Sequence, residues 1–185
     1  MCLTVRETNG DRDLPYFIQT VVGNGNTQNL NVDVPGLSAS IGVPVSLPRS
    51  KNGDLYFTSP SKHVVLKAQI DPSDGSFGNV AKFAGTGTSG LGDYDIPALS
   101  SDLNSPSGVT LIEDSNGDAT ALLIADTGNG RIRKVDMTST SMTITTIAGS
   151  GMNGFWGDGD GPNYSYLNYP SYAYYDKTTG DIYIA

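Results

Sequence analysis

Apolar residues along this chain fall in short runs, and turn-forming residues close each run. Phe17–Val22, Val80–Ala84 and Thr143–Ala148 are rich in β-branched or aromatic side chains, and each leads directly into a Gly-x-Gly. Such runs predict strands, and the glycines end pairing where the chain needs positive φ. Ser107–Ile112 and Ser171–Tyr175 each follow a proline, a residue suited to the first position of a strand. Asn52-Gly53 and Asn116-Gly117 lie between apolar runs and predict hairpins. In Arg131–Val135, Ile132 and Val135 are set among charged residues, so Arg131 and Arg133 share one side of a strand.

The runs recur in order. Val21-Val22-Gly23-Asn24-Gly25, Phe83-Ala84-Gly85-Thr86-Gly87 and Ile147-Ala148-Gly149-Ser150-Gly151 echo one another. Gly23 to Pro44, Gly85 to Pro106 and Gly149 to Pro170 each span 21 positions, and the unit repeats after 62 and then 64 residues. Asn52-Gly53-Asp54, Asn116-Gly117-Asp118 and Thr179-Gly180-Asp181 mark a later turn, followed by Leu55–Thr58, Leu122–Ala125 and Ile182–Ala185. The second turn is lengthened by Ala119-Thr120-Ala121. Each unit holds four strands and no helix, which predicts a β-propeller blade. In this register Pro44, Pro106 and Pro170 begin inner strands, and Gly23, Gly85 and Gly149 end outer ones.

The second unit resembles an NHL repeat. Leu103-Asn104-Ser105-Pro106-Ser107-Gly108-Val109 and Ile124-Ala125-Asp126-Thr127-Gly128-Asn129-Gly130-Arg131-Ile132-Arg133-Lys134-Val135 carry the likeness, with Thr146–Gly149 and Gly154–Gly159. The family usually has His where Gly130 stands. The first unit departs from the pattern at Ser59–Val64 and keeps only His63. The resemblance covers 17–185 and implies an all-β, NHL-type propeller, often six-bladed, with residues 1–16 outside the repeats. The expected content is two four-stranded blades, about 43–84 and 107–148, and partial blades at 17–22 and 171–185. In this count the partial blades supply a fourth strand at one end and two strands at the other, with no third. Six blades at this period need roughly 370 residues, so the chain corresponds to about half a ring. An open arc predicts exposed blade faces and self-association of residues 1–185.

Composition agrees with an all-β reading. Two Glu and three Gln stand against 17 Asp, and 23 Gly and 10 Pro break helices. Net charge is −8, with −1 in residues 1–79 and −7 in residues 80–185. That balance disfavours nucleic acid, which needs a basic face. No apolar run approaches the ~20 residues of a spanning helix. A single cysteine, Cys2, allows no internal disulfide. The turn-rich acidic composition, the acceptor pattern Asn163-Tyr164-Ser165 and the resemblance point to the cell surface or beyond it; the cytoplasm is the alternative.

Candidate chemistry is sparse. Asp126 and Arg131 bound the Thr-Gly-Asn-Gly loop, and we read them as a bridging ion pair across it. Asn129 and the repeat positions Gly23, Pro44, Gly85, Pro106, Gly149 and Pro170 are read as structural. Arg131, Arg133 and Lys134 form the one basic cluster, so Arg131 and Arg133 are candidates for a binding face. Tyr172 and Tyr174 share a face in a tyrosine-rich stretch and fit a core or a partner surface equally. Asp114, Asn116 and Asp118 have the spacing of a calcium loop, but Ala119 and Ala125 stand where such a loop wants Gly and Glu. The lone histidine, His63, sits in a loop between strands and reads as structural. No catalytic group and no cofactor are expected. The function expected is a non-enzymatic binding module or scaffold for a protein or other macromolecule, as part of a longer protein. A metal-dependent propeller lyase or hydrolase with its ligands elsewhere is the alternative.

Overall fold

The computed structural model describes residues 2–7, 16–71, 73–74, 76–92 and 94–185, with side chains from residue 20 onward. Thirteen strands follow in order: β1 (Cys2–Glu7), β2 (Tyr16–Val22), β3 (Val34–Pro35), β4 (Leu55–Ser59), β5 (Val64–Ile70), β6 (Phe77–Ala84), β7 (Ile96–Pro97), β8 (Val109–Glu113), β9 (Ala119–Asp126), β10 (Arg131–Asp136), β11 (Thr143–Ala148), β12 (Ala173–Tyr175) and β13 (Ile182–Ile184). The helical residues among those described are four three-residue 3₁₀ turns. No described helix is long and apolar enough to cross a membrane.

The strands form two large antiparallel sheets, β3-β6-β5-β4 and β7-β11-β10-β9-β8, flanked by the pairs β1-β2 and β12-β13. This is an open arc of a β-propeller. Its repeat is visible in the hydrogen bonding. Gly23, Gly85 and Gly149 have φ of 96°, 94° and 89°. Their N–H groups donate to the carbonyls of Gly36, Ala98 and Pro162 at 2.8–2.9 Å. A register shift also falls at one position in each unit, between Cys2 and Leu3, Val65 and Leu66, and Ile132 and Arg133.

Three details differ from the sequence expectation. First, residues 1–16 are not all outside the repeat. β1 pairs with β2 in the register that β10 keeps with β11, bulge included, so β1 is a third blade strand. Second, β6 and β11 are not the outermost strands. The linkers double back, and β3 and β7 pair with their outer edges. Pro35 and Pro97 suit that edge, where a missing N–H costs no ladder bond. Third, the segment after Pro44 enters no regular ladder. Pro44 and Pro48 lack the N–H that pairing needs, and its contacts to β4 are the Arg49–Leu55 bridge and the Tyr56 N–H to the Pro48 carbonyl at 3.0 Å. The corresponding β8, free of proline, pairs with β9 along its length.

Apolar side chains fill the spaces between successive sheets. Tyr56, Val65 and Phe83 of the first sheet meet Val109, Leu122, Ile124, Val135 and Ile144 of the second. Tyr56 and Phe83 pack edge to face with centroids 5.0 Å apart. Leu123, Ala125 and Ile132 on the second sheet's far side meet Ala173 and Ile182. β2 covers the first sheet's near side, where Val22 joins Phe57, Leu66 and Val80.

Candidate functional site

The loop from β9 to β10 is closed by a buried polar network. Thr127–Asn129 form a 3₁₀ turn, and Gly130, at φ 56°, turns the chain back into β10. Asp126 is fully buried at the loop entrance. One of its carboxylate oxygens accepts the Asn104 N–H at 2.7 Å, and the other accepts the Asn129 amide at 2.8 Å. Arg133 Nη1 lies 3.6 Å from the second oxygen. Burial pushes the Asp126 carboxyl up to about 6, against the pull of these donors and of the two arginines. Burial likewise lowers Arg133, against the attraction of Asp126.

The expected Asp126–Arg131 bridge is not what closes the loop. Arg131 sits opposite Asp126 in the ladder, but its guanidinium donates to the carbonyls of Leu91 at 3.1 Å and Ser150 at 3.3 Å. It also lies 5.5 Å from the centre of the Tyr94 ring. Arg133 donates to the same Leu91 carbonyl at 3.2 Å and to the Ser101 hydroxyl at 3.4 Å. The linker between the sheets lies across both arginines. It supplies carbonyls that satisfy Arg131, while Arg133, two residues on, faces the carboxylate. Both arginines are buried, so the basic cluster pins a linker and presents little charge to solvent. Lys134 alternates to the other face of β10.

The first sheet solves the same corner without a buried ion pair. Ladder register places Ser59 at the Asp126 position, Val64 at Arg131 and Leu66 at Arg133. Lys62 stands at Asn129, the last residue of its 3₁₀ turn, and His63 takes the left-handed place of Gly130 at φ 54°. His63 Nδ1 accepts the Ser105 N–H at 3.1 Å and so ties this corner to the next unit. The polar network is therefore replaced as a set. Keeping only one of the two charges would remove a close opposite charge from a buried site.

Asp114, Asn116 and Asp118 come together at the opposite end of β9 from Asp126. One Asp114 carboxylate oxygen accepts the N–H groups of Asn116 at 2.8 Å and Asp118 at 3.0 Å. These backbone donors hold the exposed carboxyl below its usual range. Lys51 Nζ donates to the Asn116 carbonyl at 2.8 Å and lies 3.4 Å from the Asp118 carboxylate. The turn's acceptors thus already hold N–H and ammonium donors. Tyr172 and Tyr174 are both exposed, and the Tyr174 ring lies 6.4 Å from that of Tyr183.

A further feature is an aromatic cleft in the linker between β11 and β12. Met152, Trp156, Asp160, Tyr164 and Tyr166 line a hollow of about 650 Å³. The Trp156 ring lies 5.5 Å from that of Tyr166, tilted by 45°, and the Tyr166 N–H donates to the Trp156 carbonyl at 2.9 Å. On the other side of Trp156, Phe155, Asp158, Asn168 and Pro170 border a hollow of about 270 Å³. Phe155 is 87% exposed. Sequence reasoning met these residues as repeat marks and as a tyrosine run. The available signal was Phe155-Trp156 inside a glycine-rich loop, since large aromatics rarely belong in such a turn unless they pack or bind.

No family model matches the chain, and no curated protein matches it. Solved structures do. The chain has 19% identity and a TM-score of 0.62 with an auxiliary nutrient binding protein from Bacteroides thetaiotaomicron, covering 75% of this chain and 33% of that one. A structure from the same organism, provisionally named a phosphatase, gives 18% and 0.60, over 75% and 31%. A third, a protein of unknown function from that organism, gives 22% and 0.60, over 85% and 34%. The chain spans about a third of the length of each of these. At these identities the likeness establishes a shared propeller-like fold, and the differing names carry no common activity.

Proposed function

We propose that this chain is part of an NHL-type, non-enzymatic propeller that binds a protein through the aromatic cleft of its 149–168 linker. The observation that carries this is the exposed pair Trp156 and Tyr164 lining the cleft, with Phe155 exposed beside them at the adjoining hollow. Rigid aromatics of this kind supply much of the binding energy at protein interfaces. Asp158 and Asp160 lie beside them, in the half of the chain that carries net −7. The partner is therefore one with a basic rim. A structural neighbour named as a nutrient binding protein supports binding as the general role. A location at or beyond the cell surface fits the same reading.

Trp156 is the only tryptophan, so its emission reports on the cleft directly. Titration with a panel of basic peptides should shift that emission saturably for at least one member. Trp156→Ala and Tyr164→Ala should each weaken binding about tenfold or more, roughly 1.4 kcal/mol. A panel that includes oligosaccharides and ester or phosphate substrates separates the alternatives. Turnover of a substrate without saturable peptide binding would reject this reading in favour of an enzyme.

A further inference from the structure

The aromatic cleft differs from its counterpart one unit earlier in a way that selects its occupant. The linkers 85–106 and 149–170 fold alike: the Gly149 and Ser150 N–H groups donate to the carbonyls of Pro162 and Ser165, as those of Gly85 and Thr86 do to Ala98 and Ser101. Residues 64 apart are therefore equivalent here. In the earlier linker the Thr86 hydroxyl donates to the Asp102 carboxylate. In the later one Ser150 and Tyr166 hold those two places. The acceptor is gone, and the Ser150 hydroxyl is buried without a hydrogen-bond partner. Gly92 likewise gives way to Trp156, and Ser100 to Tyr164. A linker closed by its own polar groups has become one with aromatic walls, the Trp156 and Tyr166 rings inclined at 45° and Tyr164 on the same hollow.

The cleft is not open for want of a neighbour. Thr88, Pro97 and Ser100 are the counterparts of Met152, Gly161 and Tyr164. All three are exposed, although the second sheet lies beside their linker and pairs with it at β7. This side of a linker thus stays open when a following sheet is present.

The charge around the cleft has one sign. Asp160 lines it and is exposed. Between Lys134 and Lys177 the chain has no lysine or arginine, and among the described residues no ion pair involves Asp160. Aromatic faces carry negative potential and attract a cation within about 6 Å of the ring centre. A carboxylate on the same hollow adds to that attraction, and both repel an acidic group. The fold already uses the pairing twice, with Lys67 over the Tyr56 ring at 5.7 Å and Arg131 over that of Tyr94 at 5.5 Å. We infer that the cleft seats the cationic head of a partner's lysine or arginine, against the Trp156, Tyr164 and Tyr166 rings and beside Asp160. The inference rests on the binding role proposed above and moves the partner's positive charge from the rim into the cleft itself.

Titration calorimetry with capped tetralysine, tetraarginine and tetra(acetyl-lysine), at ~0.15 M salt to screen long-range attraction, tests it. At least one cationic peptide should bind saturably, and the acetylated peptide about tenfold or more weaker. The order of the two cationic peptides separates ammonium from guanidinium. Asp160→Asn should weaken the cationic peptide about threefold or more, as should Tyr164→Leu, which keeps an apolar side chain and removes the ring. Asp181→Asn removes the same charge from an exposed turn and should leave affinity nearly unchanged. Equal binding of the acetylated peptide overturns the inference. So do equal effects of Asp160→Asn and Asp181→Asn, or a Tyr164→Leu chain that binds as before. If neither cationic peptide binds while a neutral or acidic peptide shifts Trp156 emission saturably, the cation is rejected and the protein-binding role stands. If no peptide binds, both are rejected.

Discussion

Asp126 accepts two hydrogen bonds and faces Arg133, yet its environment still disfavours the charge. The carboxyl is raised from its ordinary 3.8 to about 6 by burial. Between those pH values the native state retains a proton that the unfolded chain has released. Its contribution to stability is therefore greatest below pH 4, declines as pH rises to 6, and stays low above that. The difference amounts to roughly 3 kcal/mol. Other carboxylates titrate in the opposite sense, so the measurement is a comparison: chemical unfolding of the native chain and of Asp126→Asn from pH 4 to 7.5. The stability of the native chain relative to the variant should fall as pH rises through that window. The first sheet suggests a second test, because it fills this corner with Ser59 and Leu66. Asp126→Ser should cost about 1–3 kcal/mol by removing the acceptor of the Asn104 N–H and the Asn129 amide beside a buried guanidinium. Adding Arg133→Leu should recover at least ~1 kcal/mol of that. A double variant less stable than the single one would contradict the view that the network is replaced as a set.

The elements are fixed by where the chain must turn sharply against its neighbour. A β-carbon on Gly149 would run into the Gly130 carbonyl oxygen and lie 3.0 Å from the Arg131 α-carbon, at a φ of 89°. Gly85 meets the His63 carbonyl and the Val64 α-carbon in the same way. Gly180, at φ 82°, has open space around it. Gly85→Ala and Gly149→Ala should each destabilise the fold by more than ~2 kcal/mol, since backbone on both sides must move. Gly180→Ala carries only the conformational cost of about 1 kcal/mol. Denaturant midpoints of the three variants check the order. The two large sheets show how little separates a laddered strand from an unladdered one. β8 and the segment after Pro44 occupy the same place, and two prolines decide between them.

At the scale of the whole molecule, a residue's place in the arc outweighs its type. Val109 is buried between two sheets, while Leu47, its repeat partner, is 44% exposed. Val109→Asp puts a charge into that packed layer and should lower stability by several kcal/mol or abolish folding. Leu47→Asp, at a side chain already 44% exposed, should leave the circular dichroism spectrum and the denaturant midpoint nearly unchanged. Equal loss of fold in both variants would mean that the arc's first face is already covered.

The repeat marks alone determined the class of fold. Gly-x-Gly, proline and Asn-Gly recur at fixed spacing because sharp turns and strand starts tolerate few residue types, and that intolerance is visible without coordinates. The second unit's loop was legible for the same reason: Asp126, Asn129 and Gly130 each meet a local demand. Which arginine faces the carboxylate was not legible, because the deciding carbonyl belongs to Leu91, 42 positions before Arg133. β1 was missed because its strand character rests on pairing with β2, and Cys2–Glu7 carries none of the turn residues that announced the other strands. The aromatic cleft likewise exists only once the 149–168 linker has folded back on itself and Trp156 has met Tyr166. Local backbone constraints are written in the sequence one turn at a time. The match of Leu91 to Arg133 and of β1 to β2 depends on distances between remote segments, and only the tertiary structure sets those.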